Sequence, residues 1–398
     1  MRILIINSVC GYGSTGRVCT DIADLLISQG HECRIAYGRG KVPDKYSSIA
    51  KRISNSLDVN IHAGFARLTD STGFHSRKAT IEFLKWVDEW KPDLIHLHNI
   101  HGYYINIEIL FAYLKDKKIP VVWTLHDCWT FTGHCTYFDH AKCNKWKNGC
   151  KGNCPQIREY PSSYAISRSG VNYKRKMQAF SDVDNMHIVT PSYWLEELVK
   201  QSFLSKYKTH VVHNGIDIKS FSPQKSTFRN KYGLQNKAVY LAVSDGWGKR
   251  KGVDDIIQIS KSLSQDEKIV MVGFSGKEKE SVPDSILKIS RTKSVNELAE
   301  IYSAADVLLN PTHEDNYPTV NLEAQSCGTP VVTYNTGGSS ESVPAENVVP
   351  KGDHNGLLNL ARQYRTLKVR SAELFDKNKA FERYIELYNE VILNNALL

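Results

Sequence analysis

The residues best suited to chemistry are three adjacent cations, Lys249, Arg250 and Lys251, which lie between a predicted strand and a predicted helix. Cations at the carboxyl end of a strand suit a diphosphate leaving group, because they neutralise the negative charge that develops as the group departs. A run of lysine and arginine is also often a solvated turn, so the rest of the sequence has to decide between these two interpretations.

A polar stretch that begins at Asn310 favours the functional interpretation. A strand ends at Pro311, the following loop carries Asp315, and Glu323 lies eight positions later in a helix that starts near Pro318. Proline suits the first turn of a helix, and the unpaired N–H groups of that turn are suited to bind a diphosphate. The three cations and this helix start are therefore expected to bind one anion together.

A glycine-rich loop follows the first predicted strand. Gly11, Gly13 and Gly16 match G-x-G-x-x-G between a strand and a helix, the context in which such loops bring backbone N–H groups close to a phosphate. A nicotinamide dinucleotide enzyme also needs a ribose-binding carboxylate at the end of the second strand. Residues 37–40 contain Arg39 but no carboxylate, which leaves NADP open and disfavours a dehydrogenase. A tight turn without a ligand and a loop that approaches a phosphate or sugar are the alternatives.

Histidines end two further predicted strands. The polar residues there are His98, Asn99 and His101 after one strand and His126 and Asp127 after the next. Because the carboxyl ends of parallel strands share one edge of a sheet, both groups are expected to meet there. They are predicted to line an acceptor site or to be hydrogen-bonded in place. A metal site is less favoured, because no carboxylate has matching spacing.

Five of the nine cysteines lie between positions 128 and 154, in a segment without a secondary-structure period. Such a segment needs a cross-link to hold one shape, and four thiolates are enough to bind one structural zinc ion tetrahedrally. The candidate ligands are Cys135, Cys143, Cys150 and Cys154. Their spacing is looser than in paired C-x2-C motifs, so free thiols and two disulfides stay open as alternatives.

The composition limits the class of protein. The chain has 398 residues, is 41% hydrophobic and 23% charged, and carries a net charge of +9. These values fit a globular protein of about two domains and exclude collagen-like, mucin-like and disordered chains. The positive charge is too diffuse for a nucleic-acid-binding module, so no nucleic acid partner is expected. Without an apolar run of about 20 residues or a secretory signal, and with an odd number of cysteines, a cytoplasmic location is predicted.

Short apolar strands alternate with helices in two successive series. The predicted strands are 2–7, 33–37, 94–98, 121–125, 187–190 and 209–212, then 238–243, 269–272, 287–289, 306–309 and 330–333. This alternation predicts an α/β protein with parallel sheets. We therefore expect two Rossmann-like domains whose parallel sheets face each other across a ligand cleft.

The domain boundaries follow from the same pattern. The first domain is predicted to cover residues 1–213, with a cysteine-rich insert at 128–155, and the second to cover 214–377. A helix over residues 378–398 has an apolar face that requires a docking surface.

Together these stretches resemble the retaining, nucleotide-sugar-dependent glycosyltransferases of family 4, which have the GT-B architecture. The resemblance covers nearly the whole chain. It is carried by residues 13–16, 124–127, 214–217, 250–252, Asp315 with Glu323, 324–332 and 337–341. Residues 129–135 and 149–155 make the chain similar, within that family, to enzymes of capsular and exopolysaccharide assembly related to colanic acid biosynthesis glycosyltransferases.

The resemblance implies a role for each matching residue. Lys251 with Arg250 would neutralise the donor diphosphate, Glu323 would bind the nucleotide ribose, and the last helix would cross back onto the first domain. The implied donor-binding residues are Gly13, Gly16, Arg250, Lys251, Asn316, Tyr317, Pro318, Thr319 and Glu323. The implied catalytic residues are His126, Asp127, Arg250, Lys251 and Asp315. The acceptor-binding residues are His98, Asn99 and His101.

Two positions depart from the family's pattern. The family has glutamate at the first position of its E-x7-E motif, where this chain has Asp315, and many members carry an arginine five or six residues before Lys251, where this chain has Gly246 and Asp245. Asp315 keeps the charge and is expected to contact a sugar hydroxyl; Glu314 is the less favoured substitute. Because no enzymic nucleophile is evident, front-face attack without a catalytic metal is the expected mechanism.

The expected function is transfer of a sugar, with retention, from a nucleoside-diphosphate donor to a lipid-linked saccharide. A UDP-sugar is the favoured donor, and the pathway would make a capsule, exopolysaccharide or O-antigen. A GT-B epimerase or a non-catalytic nucleotide-sugar-binding protein is the alternative, since Asp315 replaces a key residue. Such acceptors imply peripheral contact with the anionic cytoplasmic face of the inner membrane. Segment 172–180 either rests on that surface or forms a solvated basic helix face.

Overall fold

The computed structural model describes residues 1–274, 276–367, 369 and 372–396. The chain divides into two compact units. Unit 1 comprises Met1–His213 and Phe381–Leu398, and unit 2 comprises Asn214–Ala380. Each unit contains a wholly parallel β-sheet whose strands alternate with helices along the chain.

The described part of unit 1 contains a seven-stranded sheet. Its strands are β1 Arg2–Asn7, β2 Glu32–Tyr37, β3 Ala50–Arg52, β4 Leu94–Leu97, β5 Val121–Thr124, β6 Met186–Thr190 and β7 Lys208–Val211. They lie in the order β3-β2-β1-β4-β5-β6-β7. The helices between them are α1 Gly13–Ser28, α2 Ser56–Thr69, α3 Arg77–Trp90, α4 Ile107–Lys117, α5 Ser169–Phe180 and α6 Tyr193–Lys200.

The described part of unit 2 contains a six-stranded sheet. Its strands are β8 Ala238–Val243, β9 Glu267–Phe274, β10 Leu287–Ser290, β11 Val307–Asn310, β12 Val331–Tyr334 and β13 Val348–Val349. They lie in the order β10-β9-β8-β11-β12-β13. The helices of this unit are α7 Phe228–Tyr232, α8 Val253–Ser260, α9 Val295–Ala304, α10 Thr319–Ser326 and α11 His354–Tyr364.

The strand order reverses once in each sheet, between β1 and β4 in unit 1 and between β8 and β11 in unit 2. The central strands are almost continuous apolar runs, as expected where both faces of a parallel sheet are covered; residues 3–6 of β1, for example, are fully buried. Ligands of doubly wound sheets bind outside the carboxyl ends of the strands at such a reversal. The two reversals therefore mark where the polar residues singled out in the sequence should collect.

The last helix, α12 Lys377–Ala396, packs against the sheet of unit 1. Phe381, Tyr384 and Tyr388 on its apolar face are at most 2% exposed. The Tyr384 hydroxyl is 3.0 Å from Thr124 Oγ1, and the Tyr388 hydroxyl is 2.7 Å from His96 Nδ1. The apolar face of α12 thus covers the ends of β4 and β5.

The basic segment 172–180 lies within α5 and is largely packed. Lys176 and Phe180 are at most 1% exposed, and the Arg175 guanidinium donates to both carboxylate oxygens of Glu108 at 2.8 and 2.7 Å. These side chains are not available to a membrane surface, whereas Lys174 and Met177 are exposed, so contact of this segment with a membrane stays a prediction. In the described residues no helix is long and apolar enough to cross a bilayer.

Candidate active site

The strand reversal in unit 2 brings a cation and a carboxylate together. Lys251 ends a 3-10 turn, Lys249–Lys251, after β8, and Asp315 lies in the loop after β11. Lys251 Nζ is 2.5 Å from Asp315 Oδ2, and the two side chains are 26% and 15% exposed. The pair offers an ammonium to an anion and a carboxylate to hydroxyl donors at the edge where ligands of this fold bind.

Arg250 joins the two loops that carry this pair. Its Nη1 donates to the carbonyl oxygen of Glu314 at 2.9 Å, and its own carbonyl oxygen accepts from the His313 N–H at 2.8 Å. The side chain of Glu314 is buried, whereas the carboxylate of Asp315 lies beside Lys251. Of the two adjacent carboxylates, Asp315 is therefore the one that reaches the cation.

Two glycines let the backbone approach closely at this point. Gly252 has a φ of +75°, and a Cβ there would stand 2.1 Å from the carbonyl oxygen of Pro311. Gly337, with a φ of +54°, would place a Cβ 2.0 Å from the carbonyl oxygen of Asp315. Any other residue at either position would displace the loop of Asp315, so the glycines set the spacing between the cation and the carboxylate.

A buried network of polar side chains holds the start of α10. Asn310 Nδ2 donates to Asn321 Oδ1 at 2.8 Å, and Asn321 Nδ2 donates to Ser342 Oγ at 2.8 Å. Pro318 precedes the helix and makes no side-chain cap hydrogen bond. The network fixes the direction in which the first N–H groups of α10 point, because Asn321 lies in the first turn.

Two further predicted donor residues, Glu323 and Tyr317, are enclosed. Glu323 is 3% exposed and its Oε2 accepts from the Tyr302 hydroxyl at 2.9 Å. Tyr317 is buried, and burial, with a further contribution from the charge of Glu341, raises the pKa of its hydroxyl to about 12. The donor-binding roles of Asn316, Tyr317, Pro318, Thr319 and Glu323 stay predictions.

In unit 1, histidines at the ends of β4 and β5 form a hydrogen-bonded chain. His98 Nδ1 is 2.9 Å from His126 Nε2, and His98 Nε2 is 3.3 Å from His96 Nδ1. Burial lowers the pKa of His126 to about 4 and the pKa values of His96 and His98 well below the usual range. All three rings are therefore neutral at pH 7 and act as hydrogen-bonding groups, not as cations.

A second pair lies beside this chain. His101 Nε2 is 2.9 Å from Asp127 Oδ2, and the Trp129 N–H donates to Asp127 Oδ1 at 2.9 Å. Burial alone would raise the pKa of Asp127, but the charge and hydrogen bond of His101 hold it below its usual value. The other nitrogen of His101 is 3.2 Å from the hydroxyl of Tyr160. Tyr160 was missed in the sequence, where nothing near it marks a site.

The glycine loop lies next to these residues at the reversal between β1 and β4. The Gly11 N–H donates to the carbonyl oxygen of Gly16 at 3.1 Å, and Gly11 and Gly13 have positive φ values of 75° and 61°. The Asn99 N–H donates to Asn7 Oδ1 at 3.2 Å, which ties the end of β4 to the end of β1. The structure thus brings the predicted acceptor residues and the glycine loop to one edge of the sheet of unit 1.

The four predicted zinc ligands also come together in unit 1. They line one pocket with His134, and all nine cysteines of the chain are free thiols. Within the described ranges, no three histidine, cysteine or acidic side chains are already arranged as a metal site. His134 lies within the stretch 129–135 that carries part of the resemblance, but it was not singled out in the sequence as a functional residue.

Comparison with known families decides the class. The family described as Glycosyltransferase Family 4 matches residues 15–220, which is more than half of the chain. The chain belongs to glycosyltransferase family 4. A second family, Glycosyl transferases group 1, matches residues 237–364 of this family 4 glycosyltransferase. The predicted family is therefore confirmed.

Individual relatives and structures agree. The chain is 25% identical over 365 residues to Escherichia coli WcaC, whose name assigns it to colanic acid biosynthesis; the match covers 86% of this chain and 85% of WcaC. Sucrose-phosphate synthase from Thermosynechococcus elongatus has a TM-score of 0.70 with 16% identity and 99% of both chains covered. Anabaena HepE, solved in complex with UDP-glucose, has a TM-score of 0.63 with 14% identity and full coverage of both chains. These similarities confirm the α/β fold of GT-B type for this family 4 glycosyltransferase.

Proposed function

We propose that this glycosyltransferase moves a sugar, with retention, from a UDP-sugar to a lipid-linked saccharide during assembly of a surface polysaccharide. The observation that carries the proposal is the Lys251–Asp315 pair at the strand reversal of unit 2. The UDP-glucose complex of HepE supports a uridine donor, and the name of WcaC supports a polysaccharide product.

The donor diphosphate would bind between the cations and the start of α10. Lys251 and Arg250 would neutralise the charge that develops on the diphosphate as the glycosidic bond breaks. Asp315 holds the ammonium of Lys251 in place at 2.5 Å and would accept from a sugar hydroxyl. Glu323, already fixed by Tyr302, would bind the ribose.

The residues of unit 1 would position the acceptor and the donor sugar. His126 and its partner His98 are neutral, and their ring nitrogens would donate hydrogen bonds to sugar hydroxyls or accept them. Asp127 holds the ring of His101 in place, at 2.9 Å, on the proposed acceptor surface. Gly13, Gly16 and Asn99 would complete this surface, and no catalytic metal is proposed.

The donor can be identified with purified protein and a panel of nucleotides. A UDP-sugar is expected to raise Tm and to be consumed only when a lipid-linked saccharide is present, since ligands that bind only the folded state stabilise it. Proton NMR of the product should show the anomeric configuration of the donor. Stabilisation by a different nucleotide would refute the UDP assignment, and an inverted product would refute retention. Conversion of donor alone to an isomer would support the epimerase alternative; binding without any turnover would support a non-catalytic protein.

A membrane-facing surface is part of the proposal, and we assign it to α2. Leu57, Ile61, Phe65 and Leu68 follow one side of α2 and are each at least 50% exposed. Exposed Arg67 lies on the same helix, and the chain as a whole carries a charge of +9. An apolar stripe with cations beside it suits an anionic bilayer, in which the apolar side chains would enter the headgroup region.

Replacing Leu57 and Phe65 with serine should weaken binding to vesicles that contain phosphatidylglycerol by at least about tenfold, because two large apolar side chains lose their burial. Vesicle sedimentation measures the effect. Ile27→Ser, which alters an apolar side chain of α1 that is 46% exposed, is the matched control and should leave binding unchanged. Equal binding by both variants would contradict the assignment of α2 as the membrane surface.

A further inference from the structure

The cysteine-rich insert is folded around a pocket of metal-binding side chains. The pocket is lined by His134, Cys135, Cys143, Cys150 and Cys154, with Phe138 and Trp146 beside them. Phe138 and Trp146 are buried and stack with ring centres 5.1 Å apart. Apart from two 3-10 turns, Trp129–Phe131 and Lys145–Asn148, the described insert has no helix or strand, so its shape depends on what lies inside this pocket.

The sulfur atoms already interact with one another and with the backbone. The thiols of Cys135 and Cys154 lie close enough to influence each other's ionisation. Cys150 Sγ accepts from the Gly133 N–H at 3.1 Å. Four thiols therefore meet although they are spread over 20 positions of the chain, from 135 to 154. In metal sites, surrounding groups regularly form hydrogen bonds with the side chains that bind the metal.

His134 gives an independent indication of a ligand. Its Nδ1 is 2.5 Å from Asp70 Oδ1, and both side chains are 1% exposed. Asp70 is held in turn by the Arg168 N–H, which donates to its other oxygen at 2.7 Å. A carboxylate can only accept, so Nδ1 carries the proton of this pair and Nε2 is the nitrogen that can offer a lone pair; in the described structure this buried Nε2 has no hydrogen-bond partner.

In metal sites, a carboxylate commonly accepts a hydrogen bond from one nitrogen of a histidine ring while the other nitrogen binds the metal ion. We propose that His134 Nε2 and three of the four thiols bind one structural zinc ion in this pocket. Zinc takes four ligands of this type, tetrahedrally, in structural sites. Each thiol would lose its proton to solvent as its bond to zinc forms. In the described residues no three such side chains are already arranged as a complete site. Zinc binding would therefore turn the half-buried side chains of Cys143 and Cys154 toward the histidine.

The zinc would stabilise the loop that positions Asp127. Lys176 Nζ donates to the carbonyl oxygens of Trp129 and Thr132, at the start of the insert, at 2.7 and 3.1 Å. The Trp129 N–H in turn holds Asp127. Loss of the ion would loosen the insert first and the position of Asp127 second.

Metal content tests the proposal without reference to transferase activity. The full chain, purified under reducing conditions, should contain one zinc per molecule; a chelator should remove it and lower Tm, and added zinc should restore both. Replacement by cobalt should give the visible absorption of thiolate and imidazole ligands. Less than half an equivalent of zinc, or a disulfide in place of free thiols in this cluster, would overturn the proposal.

Variants assign the ligands. His134→Gln and three of the four single Cys→Ser changes should lose zinc, and only one should keep it. Asp70→Asn should weaken zinc affinity by about 10–100-fold, because it removes the group that orients His134. Cys327→Ser in unit 2 changes a thiol that is buried like those of Cys135 and Cys150 and should keep the full equivalent of zinc. Retention of zinc by His134→Gln would refute the histidine ligand; cobalt spectra of the unaltered chain decide the same point if that variant fails to fold.

Discussion

Replacing Lys251 with alanine is expected to lower kcat about 10²–10³-fold, the usual cost of removing one group that stabilises charge in a transition state. The ammonium lies at the strand reversal, 26% exposed and 2.5 Å from Asp315. Its charge would act most strongly when the diphosphate departs, so kcat should fall more than KM rises. Steady-state kinetics with the donor identified by the nucleotide panel measure both.

Lys261→Ala is the matched control. Lys261 follows α8 in the same unit, its exposed side chain donates to Gln258, and its loss should change kcat by no more than about twofold. Asp315→Asn should lower kcat as well, and the double variant with Lys251→Ala should lose less than the product of the two single effects, because the pair acts as a unit. Full turnover and normal donor affinity in Lys251→Ala would refute the assignment.

The sequence predicts the framework of this fold well, because buried parallel strands leave a strong local signal. The strands β1 and β8 run over the predicted residues, and the ends of the other predicted strands differ by one or two positions, as at β9, which extends the apolar run 269–272 to Glu267–Phe274. The short edge strands β3 and β13 were not predicted. The helix α2 was not predicted. Of its residues, only His62, Ala63 and Ala66 are buried. Its large apolar side chains face solvent, so the helix lacks the buried apolar face that the periodic pattern of an amphipathic helix predicts.

Lys176 shows why burial is harder to predict than helix formation. It lies in a run of cations that suggests a solvated face, yet its ammonium is enclosed, donates to two carbonyl oxygens and lies 3.4 Å above the ring of Trp129. The partners are more than 40 positions away in the sequence. Only the folded chain, which brings α5 against the start of the insert, supplies them.

The candidate site likewise has a part that the sequence predicts and a part that it does not. The sequence spacing favours Asp315 over Glu314, and the structure places the Asp315 carboxylate beside Lys251. Contacts between distant segments left no such signal. Asp70 and His134 are 64 positions apart, and Tyr160 reaches His101 across 59. Motifs predict the groups that follow a strand directly, whereas the groups that orient them come from loops whose approach depends on packing.

Unit 1 is expected to lose stability steeply as the pH falls below about 6. Burial lowers the pKa of His62 to about 3 and that of His126 to about 4, whereas both titrate near 6.5 in an unfolded chain. Their contribution is complete above pH 6.5 and is lost as the pH falls toward the folded-state pKa values, because the unfolded chain then binds protons that the folded chain does not. The loss is about 1.4 kcal/mol per pH unit for each histidine, or about 4 kcal/mol for these two at pH 5.

The hydrogen bonds of His62 show why the folded ring resists protonation. Its Nε2 accepts from the Gly73 N–H at 3.1 Å, and its Nδ1 is 2.9 Å from Ser76 Oγ. A proton on Nε2 would break the first bond and leave a charge in a site that is 1% exposed. Urea unfolding at pH 7.5, 6 and 5 measures the free energy. His62→Gln should reduce the pH dependence of the free energy of unfolding by the contribution of one histidine. His140→Gln, which changes an exposed ring, should leave that dependence unchanged. A free energy of unfolding that stays constant from pH 7.5 to 5 would show that these rings take up protons in the folded chain.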